Sequence, residues 1–370
     1  MSYNLYLFRS VIICCVTFAP LLCWGGDNNK KWYSTVNPFV SARSFTYSEN
    51  MPLEAFDNDF QGDFPDDGSY EFTHNKYAVG MGYRGVEISF FQRQDYYFRT
   101  VGDTFNLVYL DQNDIDFPVD EFFDIYLNVQ QVDATGATLG YRFSPLPALE
   151  LYVAGSYFES DDVLYGEVAG RLWQTERRPY ADLVVDYVYT EEVLLDRPLT
   201  DPASGYGYGF DLGLAWQLHE DWHFSALFED VSGRINWKHA PHTEAVMVSD
   251  RNRVDENGVS YKVPALSGKH GFKNIKQTLP VHSQFKLTYQ YQKLLFSAEQ
   301  ETYDKVRFTR TLLGYKPISW FKVEGGYDFK SYTKSLEFWT PYLSLLVATD
   351  KFDLKQSKNV RMELKAGIKL

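Results

Sequence analysis

The chain has 370 residues, with 36 Lys+Arg against 49 Asp+Glu for a formal net charge of −13, and 17% of it is aromatic. An acidic balance of this size has no chain-wide attraction for nucleic-acid phosphate, so nucleic acid is excluded as a partner. Mean hydropathy is −0.34, and no apolar run of ~18 residues lies beyond the extreme N-terminus, which excludes membrane-spanning helices but not a barrel of alternating strands.

Residues 1–25 read as a secretory signal peptide: Arg9, then the apolar run Val11 to Leu22, then Cys23-Trp24-Gly25-Gly26, with a cut after Gly25. A lipidated Cys23 is the lesser reading, because Leu22 stands where a small residue belongs. Cys14, Cys15 and Cys23 all fall within or beside this run, so the mature chain is expected to hold no disulfide, thiolate nucleophile or Cys-ligated metal. Residues 26–74 follow as an acidic, irregular leader or plug: from Asp27 to His74 there are nine acidic residues against Lys30, Lys31 and Arg43, and no sustained period.

From residue 75 to 370 the pattern becomes short stretches of period two bounded by turn residues, the signature of strands with two distinct faces. The first hairpin is expected around Lys76 to Arg99. Thr100 to Glu121 is either a strand or an excursion, so the count is about 16 strands with 14 as the runner-up. Further on, Leu149, Leu151, Val153 and Tyr157 oppose Glu150, Tyr152 and Ala154, and Leu164, Val168 and Leu172 oppose Glu167 and Arg171. Leu183, Val185, Tyr187 and Tyr189 oppose Asp182 and Asp186; Phe285, Leu287, Tyr289 and Tyr291 oppose Lys286 and its neighbours. Phe321, Val323, Tyr327 and Phe329 oppose Lys322, Glu324 and Asp328, and Val360, Met362, Leu364 and Ala366 oppose Arg361, Glu363 and Lys365. Short turns at Ser144 to Pro147, Glu176 to Arg178, His219 to Asp221, Gln292-Lys293 and Lys316-Pro317 alternate with longer links, above all an outer loop over residues 231–280. Strands of ~9 to 14 residues, aromatics at their ends and turns that alternate in length together predict an all-β fold: a transmembrane antiparallel up-and-down β-barrel with an irregular N-terminal leader.

With apolar faces toward lipid, the lumen-lining set is Glu150, Glu167, Arg171, Asp182, Asp186, Glu229, Lys286, Glu299, Glu301, Arg307, Lys322, Glu324, Asp328, Arg361, Glu363 and Lys365. A charge on the lipid side costs roughly 2 to 4 kcal/mol at mid-depth for Arg or Lys, which is why this sorting fixes the orientation. Arg310 breaks the rule by falling on the outward face, implying a bulge or a register error. The mixed signs admit two arrangements: opposed rows leaving a hydrated path, or charges paired across a narrow, closed interior.

Two motifs invite other chemistry. His219-Glu220-Asp221-Trp222-His223 fits H-E-x-x-H, but zinc-protease geometry needs both His on one helix face, and flanks that read as strands place this motif in a tight turn. Asp57-Asn58-Asp59-Phe60-Gln61-Gly62 begins like a calcium loop but reaches Gly68 where a Glu should close the shell. His239 and His242 read as exposed loop residues. A lipid hydrolase would need His223 or His282 beside a hydroxyl. No catalytic residue, metal or cofactor is assigned.

The runs Gly213-Leu214-Ala215-Trp216 to Ile235-Asn236-Trp237, Leu312 to Pro317 and Val323 to Asp328 resemble the broad group of outer-membrane barrels that includes the long-chain fatty-acid transporters and conjugal-transfer-associated barrels. Members carry an N-terminal hatch with an Asn-Pro-Ala element; this chain has Asn37-Pro38-Phe39 and an acidic leader. The resemblance implies a plugged barrel, and no ligand residues are carried over from it. The expectation is therefore a channel or transporter for a solute in the outer membrane of a Gram-negative bacterium. The alternatives are a non-conducting structural or interaction barrel of an envelope, secretion or conjugation assembly, and an outer-membrane lipid hydrolase. Expected partners are outer-membrane lipid, the barrel assembly machinery and an envelope-complex protein.

Overall fold

The computed structural model describes residues 36–368 except 59, 177, 192–202, 250–251, 255–257 and 263–264; the expected signal peptide lies outside the described residues. Strands β1 (Val36–Ser48), β2 (Tyr70–Tyr83) and β3 (Val86–Thr100) are followed by helix α1 (Gly102–Gln112) and the long strand β4 (Phe122–Leu146). Then come β5 (Leu149–Asp162), β6 (Leu164–Thr175), β7 (Arg178–Tyr189), β8 (Ser204–His219) and β9 (Trp222–Val248). A small hairpin, β10 (Asn252–Val254) and β11 (Ser260–Lys262), precedes β12 (Leu266–Thr278), β13 (His282–Tyr291) and β14 (Leu294–Tyr303). The chain closes with β15 (Val306–Ile318), β16 (Phe321–Asp328), β17 (Lys334–Trp339), β18 (Leu343–Thr349) and β19 (Asn359–Gly367).

Among the described residues, 14 strands form a closed antiparallel ring, sealed where β1 pairs with both β2 and β19. The three remaining strands of the sheet, β6, β7 and β12, extend the wall above the ring. β6 continues β5 along the upper part of β4, β7 pairs with β6 and with the end of β9, and β12 flanks β9. The ring thus has the runner-up strand number, and its first strand is β1, not the hairpin near Lys76. Residues 36–48, placed by composition in an irregular leader, form a wall strand bonded on both edges. Arg43 supplies the reason: it is one of the few cations of that segment and it points into the barrel, so its surroundings look polar in sequence. Thr100 to Glu121 is an excursion carrying α1. The expected loop 231–280 is for the most part strand: upper β9, β10, β11 and β12.

The start of β1 and the end of β19 lie at one rim, with Phe39 opposite Gly367. Every connection at this terminal rim is tight: Arg84-Gly85, Pro147-Ala148, Glu220-Asp221, Gln292-Lys293, Ser319-Trp320 and Thr340 to Tyr342. At the far rim most are long, including residues 49–69 and 101–121. The expected turn at Glu176 to Arg178 instead caps the β6–β7 hairpin on the far side, and Lys316-Pro317 lies within β15. Arg84 at φ 49° and Gly85 at φ 87° have the paired positive dihedrals of a two-residue hairpin turn, and a Cβ on Gly85 would come within 2.3 Å of the Arg142 carbonyl oxygen.

The outward face of the ring is an apolar belt. On β8 the row Tyr206, Tyr208, Phe210, Leu212, Leu214, Trp216 and Leu218 is unbroken, running roughly 40 Å along the strand at ~3.3 Å per residue and about 30 Å in height at a tilt of ~40°. Exposed Val79, Met81, Ile88, Phe90, Leu139 and Leu313 continue the belt on other strands.

Candidate functional site

The interior is bridged from wall to wall. Arg43 on β1 reaches Glu229 on β9, near the opposite side of the ring, at 2.5 Å, and Lys76 on β2 approaches the same carboxylate at 3.7 Å. Arg93 on β3 contacts Asp230 on β9 at 2.7 Å. Arg361 on β19 is paired with Glu301 on β14 and with Glu363. At the centre, the buried imidazole of His282 lies between two carboxylates, with Nδ1 2.6 Å from Glu229 and Nε2 2.8 Å from Glu301. The ring stacks on Tyr303 at 4.1 Å between centroids. Both nitrogens are thus committed to carboxylates, leaving neither for a hydroxyl nucleophile.

These contacts follow from register. Glu229, His282 and Tyr303 stand side by side on β9, β13 and β14, and Glu363, Arg43, Lys76 and Arg93 stand side by side on β19, β1, β2 and β3. Period two sends each of them inward at one height, where the facing rows have complementary signs.

Toward the far rim the interior is aromatic. Phe45, Tyr47, Tyr70, Phe72, Tyr97, Tyr303 and Phe308 form one buried cluster from β1, β2, β3, β14 and β15. A second cluster includes Phe91, Val132, Phe158, Ile235, Trp237 and Leu279. Where the aromatic cluster meets the ion pairs, the void between Phe45, Phe308, Arg310 and Arg361 is about 10 Å³, room for one water at most. Toward the terminal rim the inward side chains become wet: along β19 the relative exposure rises from 6% at the Arg361 side chain to 29% at Glu363, and Lys365 is exposed. Among the described residues the interior is therefore a polar vestibule open at the terminal rim and closed from mid-depth upward.

Glu229, Glu299, Glu301, Glu324, Asp328 and Arg361 are within the ring with little exposure. Lys286 and Lys322 both pair with Glu324, at 3.1 and 2.6 Å, and both face Glu337 at 3.8 Å. Asp328 caps the β16–β17 connection by accepting from the Lys330 and Ser331 backbone N–H groups. Glu150 is exposed near the terminal rim beside Arg142, and Lys365 lies over the Phe39 ring. Glu167, Arg171, Asp182 and Asp186 stand on β6 and β7, exposed above the ring, and line no enclosed path. The alternation runs on past Val163 without a break, so nothing local marks where the ring ends.

On β15 the assignment inverts. Arg310 is buried between Glu299 and Glu301, whereas Arg307 is exposed on the outward face. Val306 and Phe308 are the cause: they are apolar yet point inward, into the aromatic cluster, so sorting faces by hydropathy reverses this strand. Arg43, Lys76, Arg93 and Asp230 escaped the sequence reading, as did the pair His74 and Asp95, 2.7 Å apart and buried. His219 to His223 straddles the two-residue turn between β8 and β9, all five residues exposed.

Residues 184–327 match the model of a family of unknown function, DUF5723. No curated protein matches. In structure the chain is similar to the toluene transporter TodX of P. putida, at 8% identity over 90% of this chain and 88% of that one, with a TM-score of 0.42. It is also similar to the Ralstonia pickettii toluene transporter TbuX, at 9% identity over 91% and 90% with a TM-score of 0.33. A Pseudomonas aeruginosa FadL homologue follows at 8% identity over 90% and 88%, with a TM-score of 0.34.

Proposed function

We propose that this chain is an outer-membrane barrel through which a polar solute passes by a gated path, in a closed state here. Three features support a membrane location: the ring closes with no free edge, its outward face is an apolar belt of bilayer height, and turn lengths are sorted between the rims. The observation that carries the transport reading is the vestibule. A barrel that served only as an anchor could fill its interior with apolar side chains, whereas buried ion pairs are at best neutral for stability and are disrupted at a cost of several kcal/mol. Here they occupy the constriction, where paired charges can part to admit a charged or hydrogen-bonding solute and then close. Glu229, Arg43, Lys76, Glu301 and Arg361 set selectivity in this reading, and Lys286, Lys322 and Glu337 line the approach.

The wall-to-wall pairs also favour a second reading, a non-conducting barrel that anchors an envelope assembly. Planar-bilayer conductance separates the two. The gated reading expects rare openings from the refolded protein and steady openings from an Arg43→Gln/Glu229→Gln double variant, which removes the β1–β9 pair while leaving the net charge unchanged. A folded double variant that stays silent, also under applied voltage, would overturn transport in favour of the anchor.

A further inference from the structure

We infer that a basic and aromatic patch on the outward face of β8, β9 and β12 binds the phosphorylated headgroup of a lipid in the leaflet facing the far rim; the inference rests on the membrane location proposed above. Arg234 and Lys238 project outward from β9 on either side of Asn236. Lys276 on β12 stands opposite Asn236, so the three cations surround one position, within the diagonal cross-strand reach of long side chains. On the other side β8 supplies the floor: the Arg234 guanidinium lies over the Tyr208 ring at 4.7 Å and the Lys238 ammonium over the Tyr206 ring at 5.2 Å.

Three observations select the ligand. In a chain of net charge −13, three exposed cations stand together with no carboxylate partner among the described residues. Across the sheet Glu159 sits beyond Tyr206 on β5 and accepts from Tyr157. The patch also sits at the top of the apolar row of β8, directly above Phe210 and Leu212, where acyl chains end and headgroups begin. Rings that hold the cations from behind leave their charged edges free, and guanidinium and ammonium groups are strong donors to phosphate oxygens. A soluble anion would gain nothing from the apolar row below; a phosphorylated lipid contacts both.

The test uses the refolded full-length protein and diphosphoryl lipid A in detergent micelles, with native mass spectrometry reading the lipid retained. The Arg234→Gln/Lys238→Gln/Lys276→Gln variant is compared with Lys305→Gln/Arg307→Gln/Lys351→Gln, which removes the same charge from exposed positions elsewhere near the far rim. About a tenfold loss of retained lipid in the first variant alone is expected, with lipid A stripped of its phosphates binding no variant better than another. Equal retention by both variants, or equal retention of the stripped lipid by the unaltered protein, overturns the proposal. Release of lipid A by millimolar inorganic phosphate overturns the assignment to a lipid in favour of the free anion. Insertion of each variant into phosphatidylcholine vesicles, read by protease protection, is scored separately, because failure there refutes the membrane location and not the headgroup site.

Discussion

Replacing Glu301 by Gln tests whether the interior is a dry, cooperative lock. The carboxylate is 1% exposed and accepts from His282 Nε2 at 2.8 Å, Arg310 Nη2 at 3.1 Å and Arg361 Nη2 at 3.1 Å. Removing one member of a buried charge pair costs about 3 to 5 kcal/mol, chiefly because the other charge is stranded. Here each donor keeps a second carboxylate: His282 keeps Glu229, Arg310 keeps Glu299 and Arg361 keeps Glu363. The loss should therefore fall at the low end, about 3 kcal/mol. Adding Arg361→Gln should cost less than it does alone, with a coupling of about 1 to 3 kcal/mol. Urea unfolding of the refolded barrel in lipid, followed by tryptophan fluorescence, measures both. A single-variant loss below ~1 kcal/mol, or strict additivity of the two, would show that water already screens these groups and would refute the closed lock.

The inverted strand gives a paired prediction: Arg310→Gln should destabilise by about 2 to 3 kcal/mol, while Arg307→Gln changes unfolding by no more than ~0.5 kcal/mol. Equal effects in the same titration would restore the hydropathy assignment. Tyr303→Ala removes a ring shared by the aromatic cluster and His282, so a loss of about 3 to 5 kcal/mol is expected, together with more frequent openings in planar bilayers. A variant as quiet as the parent would place the closure elsewhere. Gly85→Ala puts a side chain where φ is 87° and a carbonyl oxygen is 2.3 Å away. It should slow refolding into vesicles and cost at least ~1 kcal/mol, and unchanged stability would argue against that turn. Burial alone would raise the Glu49 carboxyl beyond the end of β1, but Lys330 Nζ at 2.7 Å and the Ser69 N–H at 3.0 Å outweigh it and hold the carboxyl below its ordinary value. Its contribution is present above the ordinary carboxylate range and lost as pH falls through the lowered value. Glu49→Gln should therefore flatten the acid limb of the stability curve slightly, and an unchanged limb would remove Glu49 from it.

Much of the barrel was legible because a strand with an apolar belt on one side and charge on the other must alternate. Leu149 to Tyr157, Phe285 to Tyr291 and Val360 to Ala366 show that period plainly, and the charges opposite them at Lys286, Arg361 and Glu363 do lie within the ring. Alternation reports only which residues share a face. It does not say what that face meets, and three outcomes turned on this. β1 was missed because its inward Arg43 and Ser41 and its Asn37-Pro38 start resemble a polar leader. β15 was reversed because the interior at its height is aromatic, so Val306 and Phe308 are buried by facing inward. β6 and β7 were taken for wall strands because their period continues that of β5 beyond the ring. The sequence by itself determined the period, most of the tight turns and thus a β-barrel, since these are properties of neighbours in the chain. Only the tertiary structure decided that Arg43 meets Glu229, that His282 joins two carboxylates and that the interior is closed. Those contacts join residues up to 186 positions apart, and their geometry is set by ring closure and strand stagger, which no local stretch encodes.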